Sequence, residues 1–346
     1  MRLTVPFIVA SLALAIPVAA QDGVDVRTVV RDAIRTIRPR SYQGRNSGPE
    51  QSERFSRKLK MGRDGRVSIA NIAGDIVVTA GAGDEVSIEA VKRTHGDRSE
   101  LENVHINVEE RPGRVDVRTE SDYYRGDRNR RGGRVSVDYT VTVPASAALD
   151  VHSVSGSVKV TGVHGTVRAE TVSGDVITTD TLRLESARSV SGDVSLAGAM
   201  GDGDLLAGSV SGNITVKGVR VRGLDANSVS GGVTLSDVTC DRLAVKTVSG
   251  DVAYAGAMLK AGRYEITTHS GGVRLTLANP AGFEFTANSF SGSIRSDLPM
   301  TIGGRSDRDT DLRRNRGNHT MQATYGDGSA TLTIRTFSGD IVVGKR

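Results

Sequence analysis

Six positions along this chain could line up five carboxylates and one amide. Asp75, Asp175, Asp193, Asn213, Asp251 and Asp340 each directly follow a glycine, while Ser or Gly takes the same place after the other glycines of the series. If those glycines mark equivalent turns of a repeated unit, the carboxylates stack, and stacked like charges repel unless water or a cation such as calcium lies between them. The plainer reading is that Asp and Asn are turn-forming residues. The nonapeptide pattern of calcium-binding repeats is not present.

Other chemistry is sparse. His95, His105, His152, His164, His269 and His319 show no metal-ligand spacing, and Cys240 has no partner thiol. Gly208-Ser209-Val210-Ser211-Gly212 spells the ends of a hydrolase elbow, but its centre is valine rather than a nucleophile. A serine that recurs at every turn is a geometric requirement. No catalytic residue, metal or cofactor is assigned, and the chain reads as non-enzymatic.

Two arginine-rich stretches suggest anion binding instead. Arg125, Arg128, Arg130 and Arg131 lie in one glycine-rich loop, and Arg313, Arg314 and Arg316 in another. The ordinary role is a solvated loop; the sharper one is docking of an anionic envelope polysaccharide or a lipid head group. The net charge of +5, from 45 basic and 40 acidic residues, is too mild to imply nucleic acid.

These residues hang on a repeat. Ser-Gly recurs at Gly156, Gly174, Gly192, Gly212, Gly231, Gly250, Gly271 and Gly292, at intervals of 18, 18, 20, 19, 19, 21 and 21 residues, and again at Gly339. A period near nineteen marks a repeat architecture, and half a propeller blade is too short to be one. Two residues after each glycine stands Val or Ile, from Val158 and Val176 to Ile294 and Ile341, as an inward position would require. Three residues before each glycine is Ser or Thr. Upstream pairs such as Leu243/Val245 and Phe285/Ala287 alternate with polar residues in the period of a strand.

Each unit therefore reads as two short strands meeting at a Ser-Gly corner. The alternation through Leu243, Val245, Thr247 and Ser249 sends small hydroxyls inward, and a phase shift at Gly250 returns Val252 and Tyr254 to the core. The expected fold is an all-β parallel solenoid, right-handed, with rungs of ~19 residues about 4.8 Å apart. An antiparallel meander shares the period. Each buried Val or Ile contributes roughly 1.5–3 kcal/mol, so no disulfide is needed.

One column faces outward yet is apolar: Val154, Val172, Val190, Val210, Val229, Val248, Phe290 and Phe337, with His269 among them. Such a stripe is either a contact surface for a partner or is covered by the chain's own loops.

The ends complete the reading. Residues 1–20, with Arg2, an apolar run to Ile16 and a small-residue Val18-Ala19-Ala20 close, have the form of a secretory signal peptide. Residues 21–52 hold a basic amphipathic helix, with Val26, Val29, Val30, Ala33, Ile34 and Ile37 at helical spacing, and a linker. Such a helix suits capping of the first rung, tethering or membrane-surface binding. The solenoid then spans 53–346: irregular opening rungs over 53–145, regular rungs over 146–300, a loop insertion over 303–320 and a closing rung over 321–346. A leader together with a single cysteine points to an exported bacterial protein of the periplasm or cell surface.

The run Val143-Pro144-Ala145 through Leu149-Asp150-Val151-His152-Ser153-Val154-Ser155-Gly156, with Thr171-Val172-Ser173-Gly174-Asp175-Val176 and Thr336-Phe337-Ser338-Gly339-Asp340-Ile341, resembles the bacterial putative-adhesin family with β-strand repeats, a domain of unknown function. The resemblance covers roughly residues 53–346 and implies a surface or scaffold role, with no catalytic residues to carry over. The expected function is an exported envelope module that binds envelope polymers, a lipid surface or a protein partner. The alternatives are a polysaccharide lyase or hydrolase on a β-helix, and a filament subunit that self-associates through the solenoid ends. The absence of Trp speaks against the enzyme, whose sugar groove is commonly aromatic-lined.

Overall fold

Alternation of inward aliphatic and outward polar residues on both sides of each Ser-Gly corner yields two facing parallel sheets with one continuous core. The computed structural model describes residues 49–122, 135–278, 281–302 and 319–345. Among these, one sheet has 13 strands and the other 14. Strands before the corner, such as Thr166–Ser173 and Arg183–Ser191, form the larger sheet; those after it, such as Val176–Thr179 and Val194–Ala197, form the smaller. Parallel pairing of equivalent positions, Val176 with Val158 and with Val194, rules out a meander in the regular region.

The column two residues after the glycine is buried from Ile76 through Val158, Val176, Val194, Ile214, Val233, Val252 and Val273 to Ile341. Ile294 is only half-buried, because its strand Ile294–Ser296 lies at the sheet edge. Across the core stand Val151, Ala169, Ala187, Ala207 and Ala226. Small residues here let the two sheets approach near the corner. Val163, Thr181, Ala199, Val219 and Val238 close the opposite side.

At the corner itself the expectation needs correcting. Thr247 is buried as expected, but Ser249 is exposed, as is the serine of each other Ser-Gly pair. Two successive residues point outward because the strand is already turning. The glycine column is also demanded by more than a phase shift. Gly156 and Gly174 do hold φ of +144° and +149°, where L side chains are strained. Gly192, Gly212, Gly231 and Gly250 lie outside that region. Their requirement is proximity: a methyl group at Gly192 would lie 2.0 Å from the carbonyl oxygen of Gly174, and one at Gly250 2.2 Å from that of Gly231.

Rung order departs from chain order at both ends. Strands Ala330–Ser338 and Ile341–Lys345 do not close the stack; they insert between the rung of Arg263–Ser270 and that of Phe283–Ser291. At the other end, Arg66–Ala73 and Ile76–Gly81 pair directly with the first regular rung, and the later strands Arg114–Ser121 and Ser136–Pro144 lie outside them. Antiparallel strands then finish the first end. Gln51–Lys60 pairs with Glu85–Thr94, and Val104–Arg111 with Arg114–Ser121. These outer strands carry charges that discourage edge-to-edge pairing. The expected signal peptide and amphipathic helix lie outside the described residues, as do both arginine clusters. A one-turn helix, Ser99–Glu102, is the sole α-element among the described residues.

Candidate contact surface

The corner consumes most of its own polar groups. Thr171 donates its hydroxyl to the carbonyl of Gly156 at 3.0 Å, Ser189 to that of Gly174 at 2.8 Å, and Ser209 to that of Gly192 at 2.9 Å. Each hydroxyl thus satisfies the glycine carbonyl of a neighbouring rung. Ser153 has no such bond, since Asn71 Nδ2 already donates to the Gly74 oxygen at 3.0 Å. In the rungs of Thr171, Ser189 and Ser209 the hydroxyl three residues before glycine is a structural donor.

The acidic column is a second ladder. The amide of Ser157 donates to Asp75 Oδ1 at 2.8 Å, that of Asp193 to Asp175 Oδ1 at 2.9 Å, and that of Asn213 to Asp193 Oδ1 at 2.7 Å. Asn213 fills the same role with its amide oxygen, accepting from Gly232 at 2.9 Å. The position calls for an acceptor, not a charge. The Ser293 amide and hydroxyl hold the Asp340 carboxyl below the usual carboxylate range. Among the described residues, no group of three or more His, Cys, Asp or Glu side chains could hold a metal ion.

The outward apolar column behaves differently. Val154, Val172, Val190, Phe290 and Phe337 are 41–49 % exposed, with Val210, Val229 and Val248 half-buried between them. The inserted final rung brings Phe337 between His269 and Phe290, and the rings stack at 4.9 Å and 4.7 Å with interplanar angles of 11° and 6°. His269 is a member of this stack. In space the ladder runs 154, 172, 190, 210, 229, 248, 269, 337, 290. Chain order conceals the aromatic end, because residue 337 lies far from 269 and 290 in sequence. The one available signal was that Thr336 to Ile341 copies the regular rungs more faithfully than the segment around Phe290.

Beside this column runs a polar one, two residues earlier, including His152, Glu170, Arg188, Lys246 and Arg335. His152 Nε2 lies 2.9 Å from Asp150 Oδ1, and its Nδ1 3.7 Å from Glu170 Oε2. The hydrogen bond to Asp150 raises the imidazole above its ordinary value, and the same bond lowers the Asp150 carboxyl. The ladder's outward face follows from strand alternation in the sequence. The ion cluster was not legible, because it needs the rungs placed side by side.

A parallel two-sheet solenoid with corner glycines in register and a satisfied polar corner defines a repeat scaffold. The chain belongs to the Toastrack DUF4097 family, whose model matches residues 65–344. It is similar to a "putative cell adhesion protein" from Clostridium sporogenes at 8 % identity, covering 86 % of this chain and 100 % of that one with a TM-score of 0.23. A "putative lipid binding protein" from Parabacteroides distasonis shows 10 % identity over 84 % and 96 % with a TM-score of 0.42. A "putative adhesin" from Bacteroides fragilis shows 11 % identity over 84 % and 97 % with a TM-score of 0.34. No curated protein matches the chain.

Proposed function

We propose that this protein is an exported, non-catalytic module of the bacterial envelope, a rigid rack that makes contact through the outer face of its larger sheet. One observation carries the reading: a continuous apolar ladder stands in solvent on a scaffold whose repeated hydroxyls and carboxylates are spent on rung-to-rung hydrogen bonds. A contiguous apolar patch of this kind is often a contact surface. Export rests on the leader-like residues 1–20.

The test is a combined binding and cleavage screen on the purified exported chain. Acidic polysaccharides and lipopolysaccharide vesicles should be retained without shortening, and retention should fall when the arginines at 125, 128, 130 and 131 become Ser. Envelope fractions should retain the chain, and Val172→Asp with Val190→Asp should weaken that retention. Release of new reducing ends or unsaturated sugar products would overturn the reading.

A further inference from the structure

We infer that the ladder is the seat of a second copy of this chain, packed face to face with the two stacks running in opposite directions. The inference rests on the contact-surface reading above and names its occupant.

Period comes first. The ladder repeats every rung, about 4.8 Å, over eight intervals, so it is about 38 Å long. A partner touching every position must share that repeat, and another copy does so by construction. Sugar stacking is disfavoured, because the faces of Phe337 are already covered by His269 and Phe290 and only ring edges point outward.

Side-chain size fixes the direction. Valines occupy one end of the ladder and rings the other. A two-fold axis along the strand direction at Val229 sets Val154 against Phe290, Val172 against Phe337 and Val190 against His269. Every large side chain meets a small one, so the sheets stay evenly spaced. Same-direction packing would set ring on ring and leave the valine end gaping.

Charge fixes the register. That same axis places Glu170 opposite Arg335 and Arg188 opposite Thr267, with no like-charged pair in the neighbouring polar column. A slip of one rung either way sets Arg188 against Lys246 or against Arg335, and both are repulsive. Such discrimination against wrong registers accompanies specific pairing. The contact is isologous, as expected of a closed dimer. With the flanking columns it covers about 500 Å² per copy, below the standard size of a stable complex, so a weak, concentration-dependent dimer is expected.

The experiment is sedimentation velocity of the exported chain across concentration, with thiol crosslinking. Dimer should form at tens of micromolar, and Val229→Asp should weaken it at least tenfold. Val210→Thr with Val248→Thr keeps β-branched residues in place and should weaken it too, in case the Asp variant fails to fold. Val229→Cys should crosslink to itself through a short bis-maleimide, whereas Val154→Cys should crosslink only when Phe290→Cys is present. Glu170→Arg should weaken the dimer and Glu170→Arg with Arg335→Glu should restore it. A monomer at every concentration up to 100 µM, or a dimer indifferent to these changes, overturns the inference. Retention by envelope fractions is read separately, so a monomer whose retention still depends on the ladder would sink the dimer and leave the contact surface standing.

Discussion

The hydroxyl of Ser189 donates to the carbonyl oxygen of Gly174 at 2.8 Å, and that same oxygen lies 2.0 Å from where a side chain on Gly192 would begin. A single acceptor therefore dictates two residue types three positions apart: a short donor at one and no side chain at the other. The Ser/Thr-x-x-Gly spacing follows from this in the rungs of Thr171, Ser189, Ser209 and Ser228, while Thr247 donates to the Val229 carbonyl instead.

Removing either partner has a different cost. Ser189→Ala leaves the Gly174 carbonyl without its donor in a part-buried corner and should lower unfolding free energy by about 0.5–1.5 kcal/mol. Gly192→Ala drives a methyl group into that oxygen, so the stack must open locally at about 1–3 kcal/mol or more. Chemical denaturation of both variants checks the pair, and equal stability of Gly192→Ala with the parent would contradict the packing. Val252→Asp, which buries a lone charge in the core column, should exceed either effect.

The acidic ladder should be indifferent to cations. Asp193→Asn keeps an acceptor for the Asn213 amide and should be nearly neutral, whereas Asp193→Ala removes it and should cost about 1 kcal/mol. Calcium or a chelator should leave the thermal transition in place. A calcium-dependent rise would show that carboxylates, rather than acceptors, are what the column needs.

The His152–Asp150 pair makes stability depend on pH with a definite sign. His152 titrates above its ordinary value, so its contribution is complete below about pH 6.5 and is lost as pH rises through the folded value. Asp150 titrates below its ordinary value, so its contribution is complete above about pH 3.9 and is lost as pH falls through its folded value. The pair is therefore worth most between those limits. Melting curves of the parent and of His152→Gln should converge as pH is raised from 6 to 8, and a constant gap would show that the pair does not titrate as described.

Cys240 should be silent in the native state. Burial pushes its thiol up to about 12, with the Asp241 charge acting in the same direction, so alkylation at pH 8 should await unfolding. Its backbone carbonyl accepts from Tyr264 Oη at 3.0 Å, and the same hydroxyl accepts from the Leu259 amide at 2.9 Å. Tyr264→Phe strands both groups and should cost about 1–3 kcal/mol while speeding alkylation. Labelling kinetics followed by mass spectrometry read both effects.

The parts of this fold that repeat locally were the parts readable from the chain. Val158, Val176 and Val194 announce a column because each lies at a fixed distance from its glycine, and the strands around Val86, Val104 and Val115 follow from alternation. Ser249 was misread because alternation carries no information about where a strand starts to turn. The position of Ala330–Ser338 was illegible for a deeper reason. Any rung of this pattern can sit beside any other, so pairing order is decided by which neighbours complete the ends. The stripe was recognised residue by residue, but its aromatic end exists only because Phe337 is threaded between His269 and Phe290.

The inboard seat of the last two strands has a consequence for synthesis. A chain released before residue 330 would lack the strand that its Arg263–Ser270 and Phe283–Ser291 strands both pair with, and would be free to join those two directly in a pairing the full chain does not have. Native pairing at that end therefore has to wait for residues 330–345, which follow both of their neighbours along the chain.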